Sequence, residues 1–198
     1  MIIGLTGLAG AGKSTVANHL VEKHGFERVS FAGPLKKMLR TLNPILSVTD
    51  NEGGDEYGLT RAGEIFELGW TENAVKEDPE MGPEYRRLMQ VLGTECIRAV
   101  DPDFWTKAAR AMLEPGKDYV FDDVRFPNEA EVVTELNPDC LWNIVRPGTE
   151  QSNGHASEQW AGKLGERFHI INDYSLEDLY AQTGAILTFV QRKAGVAA

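Results

Sequence analysis

The chain has 198 residues, with 20 Lys and Arg against 30 Asp and Glu, for a formal charge of −10. That length suits one domain with room for an inserted lobe, and lets about 70% of the unfolded surface be buried without disulfide staples. The acidic balance excludes a general nucleic-acid coat, which needs clustered Lys and Arg. No apolar run approaches the roughly 20 residues that span a bilayer, so no membrane association is expected. Met1–Thr6 has no basic segment ahead of it and does not read as a signal peptide. Cys96 and Cys140 make no disulfide framework and read as buried, reduced thiols of a cytoplasmic protein.

Ile2-Ile3-Gly4-Leu5-Thr6 is a short, β-branched apolar run, the pattern of a strand buried on both faces. Gly7-Leu8-Ala9-Gly10-Ala11-Gly12-Lys13-Ser14-Thr15 follows and matches G-x-x-x-x-G-K-[ST]. Its glycines permit a backbone whose N–H groups converge on phosphate oxygens, and the helix starting near Lys13 aims its positive end at the same anion. The motif makes Gly7, Ala9, Gly10, Ala11, Gly12, Lys13, Ser14 and Thr15 candidates for ATP binding. Lys13 is expected on the β- and γ-phosphates and the Ser14 hydroxyl on Mg²⁺. Ala17, Leu20 and Val21 continue at helical spacing, completing strand, loop and helix. His19 and His24 on that helix read as surface histidines.

Residues 25–31 hold a second short strand. Gly33-Pro34 then opens a helix carrying Leu35, Met38 and Leu39, with Lys36 and Lys37 in its first turn. That lysine pair is either a solvated face or a phosphate contact. Residues 84–113 read as two helices, the first striped by Leu88, Val91, Leu92 and Ile97, the second capped by Asp103. Tyr119-Val120-Phe121-Asp122-Asp123 is a third strand ending in two carboxylates. Ligands of open α/β sheets sit outside the carboxyl ends of strands. Successive side chains alternate, so only one of the two aspartates should face the nucleotide, where it can hold Mg²⁺ or its waters. Pro127 starts the next helix, Leu141–Val145 is a fourth strand, and the polar residues 147–158 suit a lid that excludes water. Phe168–Ile171 is a fifth strand, with His169 read as a packed histidine. Ser175 and Asp178 cap a last helix whose Leu176, Leu179, Ile186, Leu187 and Val190 face the core.

A phosphate loop establishes nucleotide binding, not a reaction. The chain has no Asn-Lys-x-Asp guanine motif, no Leu-Ser-Gly-Gly-Gln signature, and too little length for a motor core. A small-molecule kinase remains, an enzyme that works by positioning and charge stabilisation. Four blocks then bear a resemblance: residues 7–15; Arg86-x-x-x-Gln90-x-x-Gly93-Thr94-Glu95-x-x-Arg98 with Trp105 downstream; Asp123-Val124-Arg125-Phe126-Pro127-Asn128-Glu129-Ala130; and His155-x-Ser157-Glu158. Over about residues 1–180 the chain resembles the deoxynucleoside monophosphate kinases of tailed bacteriophages, relatives of the adenylate-kinase-type P-loop enzymes.

The resemblance implies a P-loop α/β/α fold with a five-stranded parallel sheet, a helical acceptor-binding lobe over about 43–113 and a lid over about 146–165. It implies transfer of the γ-phosphate of ATP, with Mg²⁺, to a 2′-deoxynucleoside 5′-monophosphate. The partners would be ATP and that nucleotide, with no nucleic-acid polymer, in a monomer or homodimer. Lys13, Asp123, Arg125 and Arg146 are the implied catalytic set, with Ser14 and Asp123 at the metal. Lys36, Arg86, Gln90, Arg98, Trp105, Arg125, His155 and Glu158 are implied for the acceptor, and Asn172 for the adenine loop. Plainer roles stand beside these: Arg86 and Arg98 as helix arginines paired with Glu84 or Glu95, Gln90 and His155 as surface residues, Trp105 as core, Asp123 and Arg125 as a strand-end ion pair. Gly33 stands where many relatives carry an acidic residue, and Asn172-Asp173-Tyr174 is bulkier than usual for an adenine loop. A dephospho-coenzyme A kinase and a non-catalytic nucleotide-binding module are the competing readings.

The charge is unevenly spread. Residues 50–84 contain eleven acidic and two basic side chains and carry −9, leaving −1 for the remaining 163 residues. The acidity therefore belongs to the lobe, either as a solvated surface or as a field that repels polyanions. Ile65, Phe66 and Leu68 predict at least one short amphipathic helix there.

Overall fold

A computed structural model describes residues 1–50, 57–149, 160 and 162–195. In chain order its elements are β1 (Ile2–Thr6), α1 (Lys13–His24), β2 (Glu27–Val29), α2 (Gly33–Leu42), β3 (Ile45–Asp50), β4 (Tyr57–Arg61), α3 (Ala62–Glu67), α4 (Glu72–Glu77), α5 (Gly82–Gln90), a π-helical stretch Val91–Arg98, α6 (Phe104–Arg110), β5 (Tyr119–Phe121), α7 (Pro127–Thr134), a 3₁₀ turn Pro138–Cys140, β6 (Leu141–Val145), β7 (Phe168–Ile171) and α8 (Leu176–Lys193). They form two compact units, one of residues 1–31 with 106–198, the other of residues 32–105.

The first unit is built on a five-stranded sheet ordered β2-β5-β1-β6-β7, every pair parallel. The expected α/β fold is therefore present, with β1 in the middle. Ile3 and Leu5 of β1 and Val120, Phe121, Leu141 and Trp142 of its neighbours are completely buried. This is the environment a β-branched, apolar strand without polar alternation requires. Gly4 turns toward α7, where an added Cβ would come within 2.7 Å of Val133. By strand alternation Ile3 and Leu5 turn to the other face, so helices flank the sheet. Val16, Ala17 and Leu20 of α1 and Leu179, Leu187 and Val190 of α8 join the same core. Gly25, at φ 71°, ends α1 with its N–H on the Leu20 and Val21 carbonyls, a left-handed stop that glycine supplies without strain.

The predicted cap of α8 is in place: Ser175 Oγ accepts from the Asp178 N–H at 3.2 Å, and the Asp178 carboxylate accepts from the Ser175 N–H. Three details differ from expectation. Leu176 is half exposed, because the first turn of α8 overhangs the core. His169 is exposed, its Nδ1 3.3 Å from Asn143 Nδ2. Both cysteines are free, but only Cys140 is buried, where desolvation pushes its thiol up to about 11; Cys96 is exposed on the π-helical stretch.

The second unit has its own core of Leu39, Leu46, Ala62, Ile65, Val75, Met81 and Tyr85. The predicted short helix around Ile65 is α3. The antiparallel hairpin of β3 and β4 has no counterpart in the sequence reading. Asn43 closes α2 in the left-handed region at φ 51°, and its Oδ1 accepts the Gly63 N–H at 2.7 Å. The helix predicted after residue 84 runs without a break from α5 into the π-helical stretch. Gly93 there faces Leu35 so closely that a Cβ would lie 2.6 Å from its Cδ2. Among the described residues no helix is long and apolar enough to cross a membrane.

Asp139 is a buried carboxylate that joins three segments of the first unit. Its side chain accepts from Lys193 of α8 at 2.5 Å and from Arg167 at 3.3 Å, and its carbonyl accepts from Trp142 Nε1 at 2.8 Å. The Lys193 hydrogen bond holds the Asp139 carboxyl below its usual value against the opposing effect of burial. A lowered folded value means that this stabilisation is present above the unfolded value near 3.8 and is lost as pH falls through the folded one. Both cations are more than half exposed, so the pair is screened and its worth is modest. Asp139→Asn is expected to lower the thermal midpoint by about 2–4 °C at pH 7. The gap from the parent should close below about pH 4, as followed by circular dichroism melts across pH.

Candidate active site

The loop after β1 leaves the sheet at the point where strand order reverses, with β5 on one side of β1 and β6 on the other. A ligand crevice is expected outside the carboxyl ends of strands at such a point. Gly7 takes φ 132° and runs against β6, where a Cβ would lie 2.3 Å from the Ile144 carbonyl oxygen. No side chain fits there. Gly12, at φ 106°, is the residue before α1, and a Cβ on it would meet Asn172 Nδ2 at 2.5 Å. Between them the Ala11 N–H donates to the Leu8 carbonyl at 3.2 Å, and the Val16 N–H donates to the Gly12 carbonyl at 3.1 Å as α1 begins. The loop is thus a fixed arch opening onto a helix N-terminus. A cleft of about 210 Å³ lies beside it, walled by Gly7, Leu8, Asn143, Ile144, Val145, Arg146 and Thr149.

Lys13 folds back across the arch, its Nζ donating to the carbonyls of Gly7 and Leu8 at 2.8 Å each. Ser14, next in the chain, donates from Oγ to Asp122 Oδ2 at 3.0 Å. This differs from the expected pairing of Ser14 with Asp123. Beyond the end of β5 the two aspartates diverge: Asp122 meets α1, while Asp123 accepts from Ser30 Oγ at 2.6 Å and from the Phe31 N–H at 3.0 Å. Asp123 thereby ties down the segment after β2. A hydroxyl and a carboxylate side by side fit a small, hard divalent cation, which takes one or two protein oxygens and fills its other positions with phosphates and water.

Arg146 follows β6, and its Nη1 reaches within 3.5 Å of the Gly10 carbonyl; its own carbonyl accepts from the Thr149 N–H and hydroxyl. Asn172 follows β7. Its Nδ2 donates to the Ala11 carbonyl at 2.9 Å and its N–H to the Val145 carbonyl at 2.8 Å. Asn172 therefore braces the phosphate loop through its side-chain amide and is itself held to the end of β6 by its backbone N–H. The backbone N–H groups of Arg125 and Phe126 donate to the buried Glu129 carboxylate at 2.8 and 3.2 Å, fixing the start of α7. Arg28 on β2 carries no motif, yet its guanidinium contacts Ser14, Asn18 and Asp122 together. Nothing local in the sequence marks it, because its partners lie 14, 10 and 94 residues away.

The acceptor candidates Lys36, Arg86, Gln90, Arg98 and Trp105 all belong to the second unit. Lys36 Nζ pairs with Glu72 at 2.7 Å, a carboxylate it shares with Arg40. Arg86 donates to the Lys76 carbonyl at 2.5 Å and Arg98 to the Pro102 carbonyl at 3.3 Å, rather than to Glu84 or Glu95. Gln90 Nε2 reaches Glu95 at 3.3 Å. Trp105 is buried, with its indole N–H on the Gly93 carbonyl at 3.0 Å, so it supports the π-helical stretch rather than offering an open ring face. His155 and Glu158 lie outside the described residues, as does most of the expected lid.

A model of the deoxynucleotide monophosphate kinase family matches residues 64–183, more than half of the chain and entirely downstream of the phosphate loop. A protein of Acanthamoeba polyphaga mimivirus, provisionally named a deoxynucleotide monophosphate kinase, is 29% identical over 197 residues that cover 92% of this chain and 93% of that protein. The deoxynucleotide monophosphate kinase of Escherichia phage RB69 is 35% identical over 108 residues, 52% of this chain and 44% of the phage protein. That of Enterobacteria phage T4 is 30% identical over 103 residues, 49% of this chain and 42% of the phage protein. The chain thus matches less than half the length of each phage relative. With an intact phosphate loop on the sheet such kinases require and a family match independent of that loop, the chain belongs to the deoxynucleotide monophosphate kinase family.

Proposed function

We propose that this nucleoside monophosphate kinase transfers the γ-phosphoryl group of ATP to a 2′-deoxynucleoside 5′-monophosphate. A phosphate oxygen of the acceptor forms the new P–O bond as the bond to the β-phosphate oxygen breaks, leaving a deoxynucleoside diphosphate and ADP. The observation that carries the reading is the arch of residues 7–14 with Lys13 lying across it and Ser14 against Asp122. Loop N–H groups and the α1 N-terminus hold the ATP phosphates, and Lys13 exchanges its two carbonyl partners for phosphate oxygens. Ser14 and Asp122 are the metal-side pair, in place of Ser14 and Asp123. Mg²⁺ bound there would neutralise charge on the phosphates. Asp123 acts by positioning residues 30–31, and Asn172 by holding the loop.

Arg146 and Arg125 supply positive charge to the transferring and acceptor phosphates. Arg86, Gln90 and Arg98 bind the acceptor from the lobe over about 43–113, and Lys36 from α2, which precedes it. His155 and Glu158 belong to the lid over about 146–165 that closes on it. The enzyme acts in the cytoplasm as a monomer or homodimer.

The decisive assay offers purified protein, ATP and Mg²⁺ each deoxynucleoside monophosphate, each ribonucleoside monophosphate and dephospho-coenzyme A, and follows ADP release. Turnover with deoxynucleotides is expected. Turnover with dephospho-coenzyme A alone, or with none, overturns the reading. Lys13→Ala should leave the circular dichroism spectrum unchanged and cut the rate by about 10²–10³-fold, since a charge at the transferring phosphoryl is lost. Asp122→Asn should raise the Mg²⁺ concentration for half-maximal rate about tenfold or more, whereas Asp123→Asn should leave that concentration unchanged and lower the thermal midpoint. The reverse pattern in a Mg²⁺ titration would return the metal-side role to Asp123.

A further inference from the structure

Arg28 makes three contacts with one guanidinium. Nη1 donates to Asn18 Oδ1 at 2.9 Å, and Nη2 donates to Ser14 Oγ at 3.1 Å and pairs with Asp122 Oδ2. Ser14 and Asn18 are one helical turn apart on α1, so they present their side chains to Arg28 from the same face. Asn18 fixes the plane of the fork, and the remaining nitrogen lies on the two oxygens that the proposed function assigns to the metal side. Ser14 Oγ donates to that same Asp122 oxygen. A cation already bridges the pair.

A guanidinium and a divalent cation cannot use these oxygens together. A divalent cation on Ser14 Oγ and Asp122 would stand at contact distance from Nη2, and the two positive charges repel there. The Arg28 side chain is 39% exposed and Asp122 only 11%, so the guanidinium can swing into solvent while the carboxylate it leaves requires another cation. Without a cation beside it, the Asp122 carboxylate would face an incoming polyphosphate with like charge. We infer that Arg28 is a built-in counter-ion, a positioning residue that sets Ser14 and Asp122 in place, screens the carboxylate, and yields its position when the metal–nucleotide complex arrives. This rests on Ser14 and Asp122 being the metal-side pair.

The test is equilibrium binding of a fluorescent ADP analogue to the full chain, titrated with Mg²⁺, without turnover. In Arg28→Ala, affinity without Mg²⁺ should fall about two- to fivefold, the scale of one ion pair screened by solvent on its cationic side. The Mg²⁺ concentration that gives half of the full enhancement should fall by a similar factor. Arg28→Lys keeps the charge but not the fork, and should restore most of the metal-free affinity. Thermal melts confirm that each variant is folded. Equal metal-free affinity and equal Mg²⁺ midpoints in the parent and Arg28→Ala would overturn the counter-ion role and leave the metal-side pair standing. Mg²⁺ enhancement that survives unchanged in both Ser14→Ala and Asp122→Asn would overturn the pair itself, and the role of Arg28 with it.

Discussion

Gly7 passes so near β6 that a Cβ added to it would lie 2.3 Å from the Ile144 carbonyl oxygen, where no methyl group can enter. The phosphate loop can lie in the crevice only because its first residue is this close to the neighbouring strand. The opposite end of the loop is held by Asn172, whose amide reaches the Ala11 carbonyl and whose N–H joins the end of β6. Three parallel strand ends, those of β1, β6 and β7, therefore act as one frame. In that frame Thr6 is opposite Asn143, and Val145 is opposite Ile171. A slip of one residue in either register would turn alternate side chains to the wrong face and take the loop with them.

The same rule of alternation divides labour between two adjacent aspartates. Asp122 turns to α1 and joins the serine that follows the loop lysine, while Asp123 turns to residues 30 and 31. One carboxylate meets the helix that follows the phosphate loop and the other holds the path of the chain. Asp123 sits where the first unit hands over to the second, after Phe31, so its two hydrogen bonds fix the last residues before the connection.

The three inner strands β1, β5 and β6 are legible as short apolar runs, because burial on both faces removes any polar alternation that would blur them, whereas the edge strand β2, Glu27-Arg28-Val29, is legible only from the apolar residues that flank it. The loop is legible because glycine, lysine and serine at fixed spacing have few other uses. Period-two alternation predicts that one aspartate faces the nucleotide, but which one depends on how β5 registers against β1 and on where α1 starts. Both facts lie a hundred residues away. The hairpin of β3 and β4 is not legible, since Leu46, Ser47, Val48 and Thr49 alternate over too short a run to stand out. The π-helical stretch Val91–Arg98 is hidden because one extra residue per turn barely disturbs an apolar stripe, and it leaves Cys96 outside and Gly93 inside. Arg28 is invisible for a different reason: a lone arginine on a three-residue strand acquires meaning only from partners brought to it by the fold.

The position of β1 also dictates an order of assembly. This strand lies far ahead in sequence of both strands that line it, Tyr119–Phe121 and Leu141–Val145. Until Tyr119–Phe121 has left the ribosome, Ile2–Thr6 lacks either strand partner, because its sheet pairings lie at large sequence separation. The unit of residues 32–105 is continuous in sequence and carries its own core, so it can collapse while the segment preceding it waits. Synthesis thus leaves the apolar segment Ile2–Thr6 waiting while a later unit can already collapse, and that segment is the portion on which a holding chaperone would act.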